Sequence, residues 1–233
     1  MTSSSAHRVV IVIDVRPGSL QSDWVLSALT CLLVNLVQDT PGGAGRTGTT
    51  HQEGMLHFAV VLAARGVWPL RVLVLGWRCR RGSRPETLLS HVLARLRAAA
   101  KDASTRRDRS VYSNSGVLYV NDGSRLPVRT RVHSLHSIVQ QGLFCLSLLP
   151  PHASPALALI TDGVATVLDA PPLALRQRDV ALLLLLPPAL PAIASATENA
   201  ALGGEDDGFG LVPDAEGLQF ATDCACGLLL HTV

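Results

Sequence analysis

From Val9 to Ile13 the chain is apolar without a break, and the run closes on Asp14, Pro17 and Gly18. A half-buried strand alternates; an unbroken β-branched run predicts a parallel strand covered on both faces. Between Ser22 and Gln38, apolar residues recur at Val25, Leu29, Leu32, Leu33, Leu36 and Val37, which is helical spacing with Ser22 as its cap. Two strands follow, Phe58 to Ala63 and Leu70 to Leu75, so close together that they predict a hairpin with one antiparallel edge. Pro85 to Ala100 predicts a helix with proline in its first turn, and Val117 to Val120 a short extended piece. Val132, Leu135, Val139, Leu143, Leu146 and Leu149 form one stripe of a second clear helix, stopped by Pro150 and Pro151. A strand at Ala156 to Ile160 runs into the sequence TDG, and a weak helix near Pro172 to Arg178 precedes a strand at Val180 to Leu186. A short helix at Asp214 to Asp223 and a strand at Leu228 to Leu230 complete the series.

Strands alternating with helices predict an α/β fold, a doubly wound and mostly parallel sheet. The division expected is a polar leader over 1–7 and a single domain over 8–233. Flexible loops are expected near 39–56 and 101–116, where Gly, Thr, Ser and Arg replace the apolar periodicity. In such sheets ligands sit beyond the carboxyl ends of the strands. Asp14 and Asp162 each lie just after a buried strand, and they are the first residues to examine.

Composition narrows the choices. Hydrophobic residues make up 48% of 233 positions, enough for a substantial core, and a net charge of +2 gives no dominant attraction to nucleic acid. Of the basic residues only Lys101 is a lysine; arginines gather at 78–84, 106–109 and 125–131, read as solvated loops, with an acidic or phosphorylated partner as the sharper alternative. Five cysteines, an odd number at irregular spacing, predict a reducing compartment and buried thiols. The pair Cys224 and Cys226 has no second pair to complete a zinc site. The apolar stretch from Val180 to Thr197 is broken by Pro187, Pro188 and Pro191, short of the roughly 20 residues a membrane span needs.

Other motifs weaken on inspection. Gly43 to Thr50 has the outline of a phosphate loop without its lysine or a preceding strand. No G-x-S-x-G elbow is present. His133 and His136 lack the intervening chemistry of a zinc helix, and Asp206 with Asp207 lies in a loop without fixed geometry for acid–base work. No residue is expected to be catalytic, no cofactor is expected, and the chain is read as not an enzyme.

Two strand-end aspartates can jointly hold Mg²⁺, which prefers oxygen ligands. The arrangement IDVRPGS, then RT, then ITDG resembles the von Willebrand factor A fold, which implies a three-layer domain. In that family a D-x-S-x-S loop, a threonine and a later aspartate ligate the metal. The resemblance carries these roles to Asp14, Thr130 and Asp162, whereas Arg16 and Gly18 stand at the serine positions, with Ser19 close enough to substitute. An arginine there opposes a cation: two unit charges 4 Å apart interact by about 4 kcal/mol at an effective dielectric near 20, and a divalent ion doubles that. Asp14, Ser19, Thr130 and Asp162 are therefore read as a vestigial or weak Mg²⁺ site.

The second half of the chain is more specific. The stretches HSLHSIVQQGLFCLSLLPPHASPALALITDGVATVLD and GFGLVPDAEGLQFATDCACGLLLHT resemble the N-terminal von Willebrand factor A-like domain of the Seizure threshold 2 protein family. Ser137, Gln141, Gly142, Leu146, Leu149, Pro150, Ile160 to Val164, Asp169, Phe209, Gly210, Val212, Pro213, Leu218 and Phe220 stand in matching order. Residues 39–128 give no match. The resemblance implies a non-enzymatic scaffold of the KICSTOR assembly on lysosomes, which positions the GATOR complex that restrains the target-of-rapamycin kinase on amino-acid shortage. It implies KICSTOR and GATOR components as partners, no nucleic acid, and a cytoplasmic chain recruited to the lysosomal membrane through those partners. Family proteins are far longer, so the chain corresponds to an N-terminal piece or a truncated relative. The competing readings are a Mg²⁺-dependent ligand-binding module and a von Willebrand factor A subunit of a transcription or repair complex.

Overall fold

The computed structural model describes residues 6–15, 20–37, 55–63, 70–80, 83–112, 135–163, 173–187, 215–225 and 227–231. The strands are β1 (His7–Asp14), β2 (Met55–Leu62), β3 (Arg71–Arg80), β4 (Ser154–Thr161), β5 (Ala181–Leu186) and β6 (Leu228–His231). The helices are α1 (Asp23–Val37), α2 (Glu86–Tyr112), α3 (Leu135–Ser147), α4 (Leu173–Gln177) and α5 (Ala215–Cys224). The sheet order is β3-β2-β1-β4-β5-β6, parallel throughout except for β3 against β2. The expected doubly wound, mostly parallel α/β sheet is therefore present, with its antiparallel strand at the edge.

Residue chemistry explains the layers. In β1, Val9, Ile11 and Ile13 join one core with Val25, Leu29 and Leu33 of α1 and Val92 and Leu96 of α2. Val10 and Val12 face the other way, into a core with Ile138, Val139 and Leu143 of α3, Leu175 of α4 and Leu218 of α5. Both faces are dry, which is why the run never alternates. In β5 the same division sends Leu183 and Leu185 to the first core and Leu182, Leu184 and Leu186 to the second. Helices on both sides of one sheet make the three layers.

Two sequence expectations are corrected. β3 continues past Leu75 to Arg80, so Arg78 and Arg80 are strand residues and not part of a loop. Register shifts at Phe58/Ala59 and Val60/Val61 insert Gly76 and Leu73 as extra residues, so the alternation that marks a strand is broken twice. Gly76 sits at φ 71°, a left-handed conformation that glycine adopts without a side-chain clash. Likewise α2 runs on through residues 101–112, where a loop was expected. That stretch holds neither Gly nor Pro, and Asp102 reaches back to Arg71 of β3 at 2.8 Å. Both partners are substantially exposed, so the pair contributes at most about 1 kcal/mol.

Smaller differences have local causes. β1 begins at His7, inside the expected leader, because Ser154 N–H donates to the Ala6 carbonyl at 3.0 Å and starts the pairing with β4. Cys145 is buried and Cys79 and Cys224 are half-buried, but Cys31 is exposed, on the outer side of α1 where Asn35 Nδ2 donates to its sulfur at 3.2 Å. Burial pushes the Cys79 and Cys145 thiols up, away from the reactive thiolate. Residues 1–5, 39–54 and 113–134 lie outside the described residues, and with them most of the expected leader, the loop 39–56, the end of the loop 101–116, and the piece Val117 to Val120.

Helix α3 comes close to the sheet at Gly142. A Cβ there would stand 2.5 Å from Leu157 Cδ1 and 3.2 Å from Val12 Cγ2, both fully buried side chains of β4 and β1. Gly142→Val is expected to lower stability by about 1–3 kcal/mol through overpacking. Thermal unfolding measures it, and an unchanged midpoint would contradict this packing.

Candidate functional site

Chain direction across the sheet reverses at β1. From β1 the chain passes through α1 to β2 on one side, while β4, β5 and β6 extend on the other. The crevice at such a switch point opens beyond the carboxyl ends of the two central strands. Here those ends are Asp14 of β1 and Thr161 of β4, paired in register.

The residues at this crevice are knit together. Thr161 Oγ1 donates to Asp14 Oδ2 at 3.1 Å, and Gly163 N–H donates to Thr161 Oγ1 at 3.1 Å. Asp162 N–H donates to the Asp14 carbonyl at 3.3 Å, carrying the pairing one residue past β4. Gly163, at φ 78°, then turns the chain away through a conformation that costs other residues roughly 1–2 kcal/mol. Asp14 is 1% exposed, Thr161 0% and Asp162 4%. Carboxyl groups this far from water stay in place only when hydrogen bonds replace their hydration.

The structure thus brings together two of the four sequence candidates, Asp14 and Asp162. Ser19 and Thr130, and the Arg16 and Gly18 that replace the family serines, lie outside the described residues. Thr161 was not among the candidates; its only signal was its place at the end of a buried strand, and its meaning depends on register with β1. Oxygen donors alone suit a hard cation such as Mg²⁺ in kind. The described set, however, is two carboxylates and one hydroxyl, with that hydroxyl already directed at Asp14. Among the described residues no group of three or more His, Cys, Asp or Glu side chains converges to hold a metal ion.

The remaining sequence candidates do not join this crevice. His136 is exposed on α3, Cys224 is half-buried on α5, and Gly43 to Thr50, His133, Asp206, Asp207 and Cys226 lie outside the described residues.

No protein-family model matches the chain, and no curated protein matches it in sequence. Among solved structures it is similar to the von Willebrand factor A domain of SpRpn10, at 11% identity over 97% of this chain and 87% of that one, with a TM-score of 0.42. It is similar to an aerotolerance-related membrane protein from Bacteroides fragilis, at 12% identity over 97% of this chain and 92% of that one, TM-score 0.47. Proximal thread matrix protein 1 from the mussel byssus is 13% identical over 80% of this chain and 39% of its own, TM-score 0.39. The strand order and the helices on both faces define the class: a three-layer, doubly wound α/β domain.

Thr161→Val removes the hydroxyl and leaves a buried oxygen of Asp14 short of a donor, which is expected to cost about 1–3 kcal/mol. In a chain of this size that lowers the melting temperature by about 2–4 °C per kcal/mol. An unchanged unfolding midpoint would show that the hydroxyl holds nothing. Because the sequence carries Arg16 and Gly18 where the family has serine ligands, millimolar Mg²⁺ is expected to leave the melting temperature unchanged. A site with Kd near 0.1 mM would instead gain about 2.7 kcal/mol at 10 mM Mg²⁺, and a rise of that size would reverse this reading.

Proposed function

We propose that the chain is a non-enzymatic protein-interaction domain of von Willebrand factor A-like architecture. In line with its resemblance to the Seizure threshold 2 family, it serves a KICSTOR-type scaffold that recruits the GATOR complex to lysosomes and restrains target-of-rapamycin signalling when amino acids are scarce. The observation that carries the non-catalytic part is the state of the crevice. Asp14 accepts from Thr161 and its backbone from Asp162, so the carboxylate best placed for chemistry is engaged in holding two strands together.

The surface supports an interaction role. Phe144 of α3 is 58% exposed, Leu148 just past the end of that helix 51%, and Phe220 of α5 57%. Large apolar side chains held out of the core in this way mark contact surfaces when they cluster. Among the described residues no helix is long and apolar enough to cross a membrane, so a lysosomal location rests on partners. Several residues that carry the family resemblance are buried: Leu146, Leu149 and Leu218 in the second core, Gly142 on the buried side of α3, and Ile160 in the first core.

A second reading, a Mg²⁺-dependent ligand-binding module, draws on the two buried carboxylates that flank Thr161. Affinity capture of the tagged chain from amino-acid-starved cells, with probing for KICSTOR and GATOR subunits, tests the first reading; recovery of neither overturns it. Asp162→Ala separates the two. The scaffold reading expects retained partners and a lowered melting temperature, whereas the metal reading expects partner binding to be lost, as it would be from the wild-type chain on chelation.

A further inference from the structure

The end of the sheet opposite the aspartates has its own chemistry. Register places Arg8 of β1 beside His57 of β2, and His57 beside Arg78 of β3. The three side chains therefore form one row across a single face, with neighbours about 5 Å apart at Cβ. His152, in the turn between α3 and β4, is close enough to act on His57. Within β1, β2 and β3 the only carboxylate is Asp14, at the far end of its strand.

Among the described residues of these three strands no carboxylate stands beside the row. Arg8 Nη1 donates to the Leu146 and Leu149 carbonyls at 3.3 and 3.4 Å, closing the C-terminus of α3, but Arg8 Nε is buried with no acceptor. His57 is 7% exposed; burial first, then the charges of Arg78 and His152, hold its pKa below the ordinary value. The imidazole is therefore kept neutral near pH 7, and the two guanidinium groups on either side set a positive field.

The same face of β3 continues in apolar residues. Leu75 pairs with Ala59 and Val72 with Val61, yet Leu75 is 48% and Val72 44% exposed. β3 is the edge of the sheet, and the bulges at Leu73 and Gly76 interrupt the ladder that another strand would extend. Side chains, more than backbone pairing, must carry any contact here.

We propose that this face of β3 is a docking surface for an acidic segment of a partner protein, whose carboxylate sits on Arg78 and the row behind it while its apolar side chains cover Leu75 and Val72. Charge complementarity selects the occupant: an apolar partner would leave the guanidinium row uncompensated, and a free anion would leave Leu75 and Val72 in water. The inference rests on the interaction-domain reading and gives it a face.

Isothermal titration of the whole chain with a short amidated peptide alternating glutamate with leucine and valine tests it, with inorganic phosphate titrated separately and as a competitor. The peptide is expected to bind, to weaken as salt rises from about 0.05 to about 0.5 M, and to resist displacement by phosphate. Arg78→Glu is expected to weaken binding by about tenfold or more with the melting temperature unchanged, and Arg78→Lys to retain most of it. Absence of peptide binding, equal affinity in Arg78→Glu, or full displacement by phosphate each overturns the docking surface. Capture from cells separates this from the broader reading. If Arg78→Glu still recovers KICSTOR and GATOR subunits, the docking face falls and the scaffold stands. If the wild-type chain recovers neither while peptide binding depends on Arg78, the face stands and the scaffold falls.

Discussion

The register between β1 and β4 is the constraint on which the rest of the molecule depends. It runs unbroken from His7 opposite Ser154 to Asp14 opposite Thr161. Because strand side chains alternate, a slip of one residue would turn Val10 and Val12 toward the wrong core and carry Asp14 away from the threonine hydroxyl. Helix α3 locks the pairing from above, seating Gly142 against Leu157 and Val12, one residue from each strand. Arg8 fixes the C-terminus of the same helix by holding the Leu146 and Leu149 carbonyls. Packing, helix capping and the strand-end hydrogen bonds thus enforce one alignment.

That alignment also separates charge. The carboxyl ends of the central strands gather Asp14 and Asp162, and the opposite end of the sheet gathers Arg8, His57 and, on the antiparallel β3, Arg78. At the first end the carboxylate of Asp14 takes a hydrogen bond from Thr161 and the local structure uses it. At the second end a guanidinium nitrogen stays without an acceptor, and from there Leu75 and Val72 stand exposed along β3. An end that is internally satisfied stabilises the fold, while an end with unmet donors and exposed carbon is suited to meeting another molecule. The two ends of the sheet thus differ in how fully their polar groups are met.

Most of the architecture was legible in the sequence. The unbroken run at Val9 to Ile13 announced a central strand, the spacing from Val25 to Val37 announced α1, and the short interval between two strands announced the antiparallel edge. The errors fell where a local rule was interrupted: the bulges of β3 hid its continuation to Arg80, and the polar, arginine-rich second half of α2 carried no apolar stripe to reveal it. Asp14 and Asp162 were visible because strand ends are where such folds place ligands; Thr161 was not, since nothing in its neighbours in sequence says that it faces Asp14.

The sequence alone determined which segments are strands and helices and which faces are apolar, because periodicity and propensity act over a few neighbouring residues. It also determined that both sides of β1 must be covered. Only the tertiary structure decided which residues meet: Thr161 with Asp14, Gly142 with Leu157, Arg8 with His57, and His57 with Arg78. Those pairings join positions up to about 147 residues apart, and register over such distances is set by the packing of both cores at once, which no local pattern encodes.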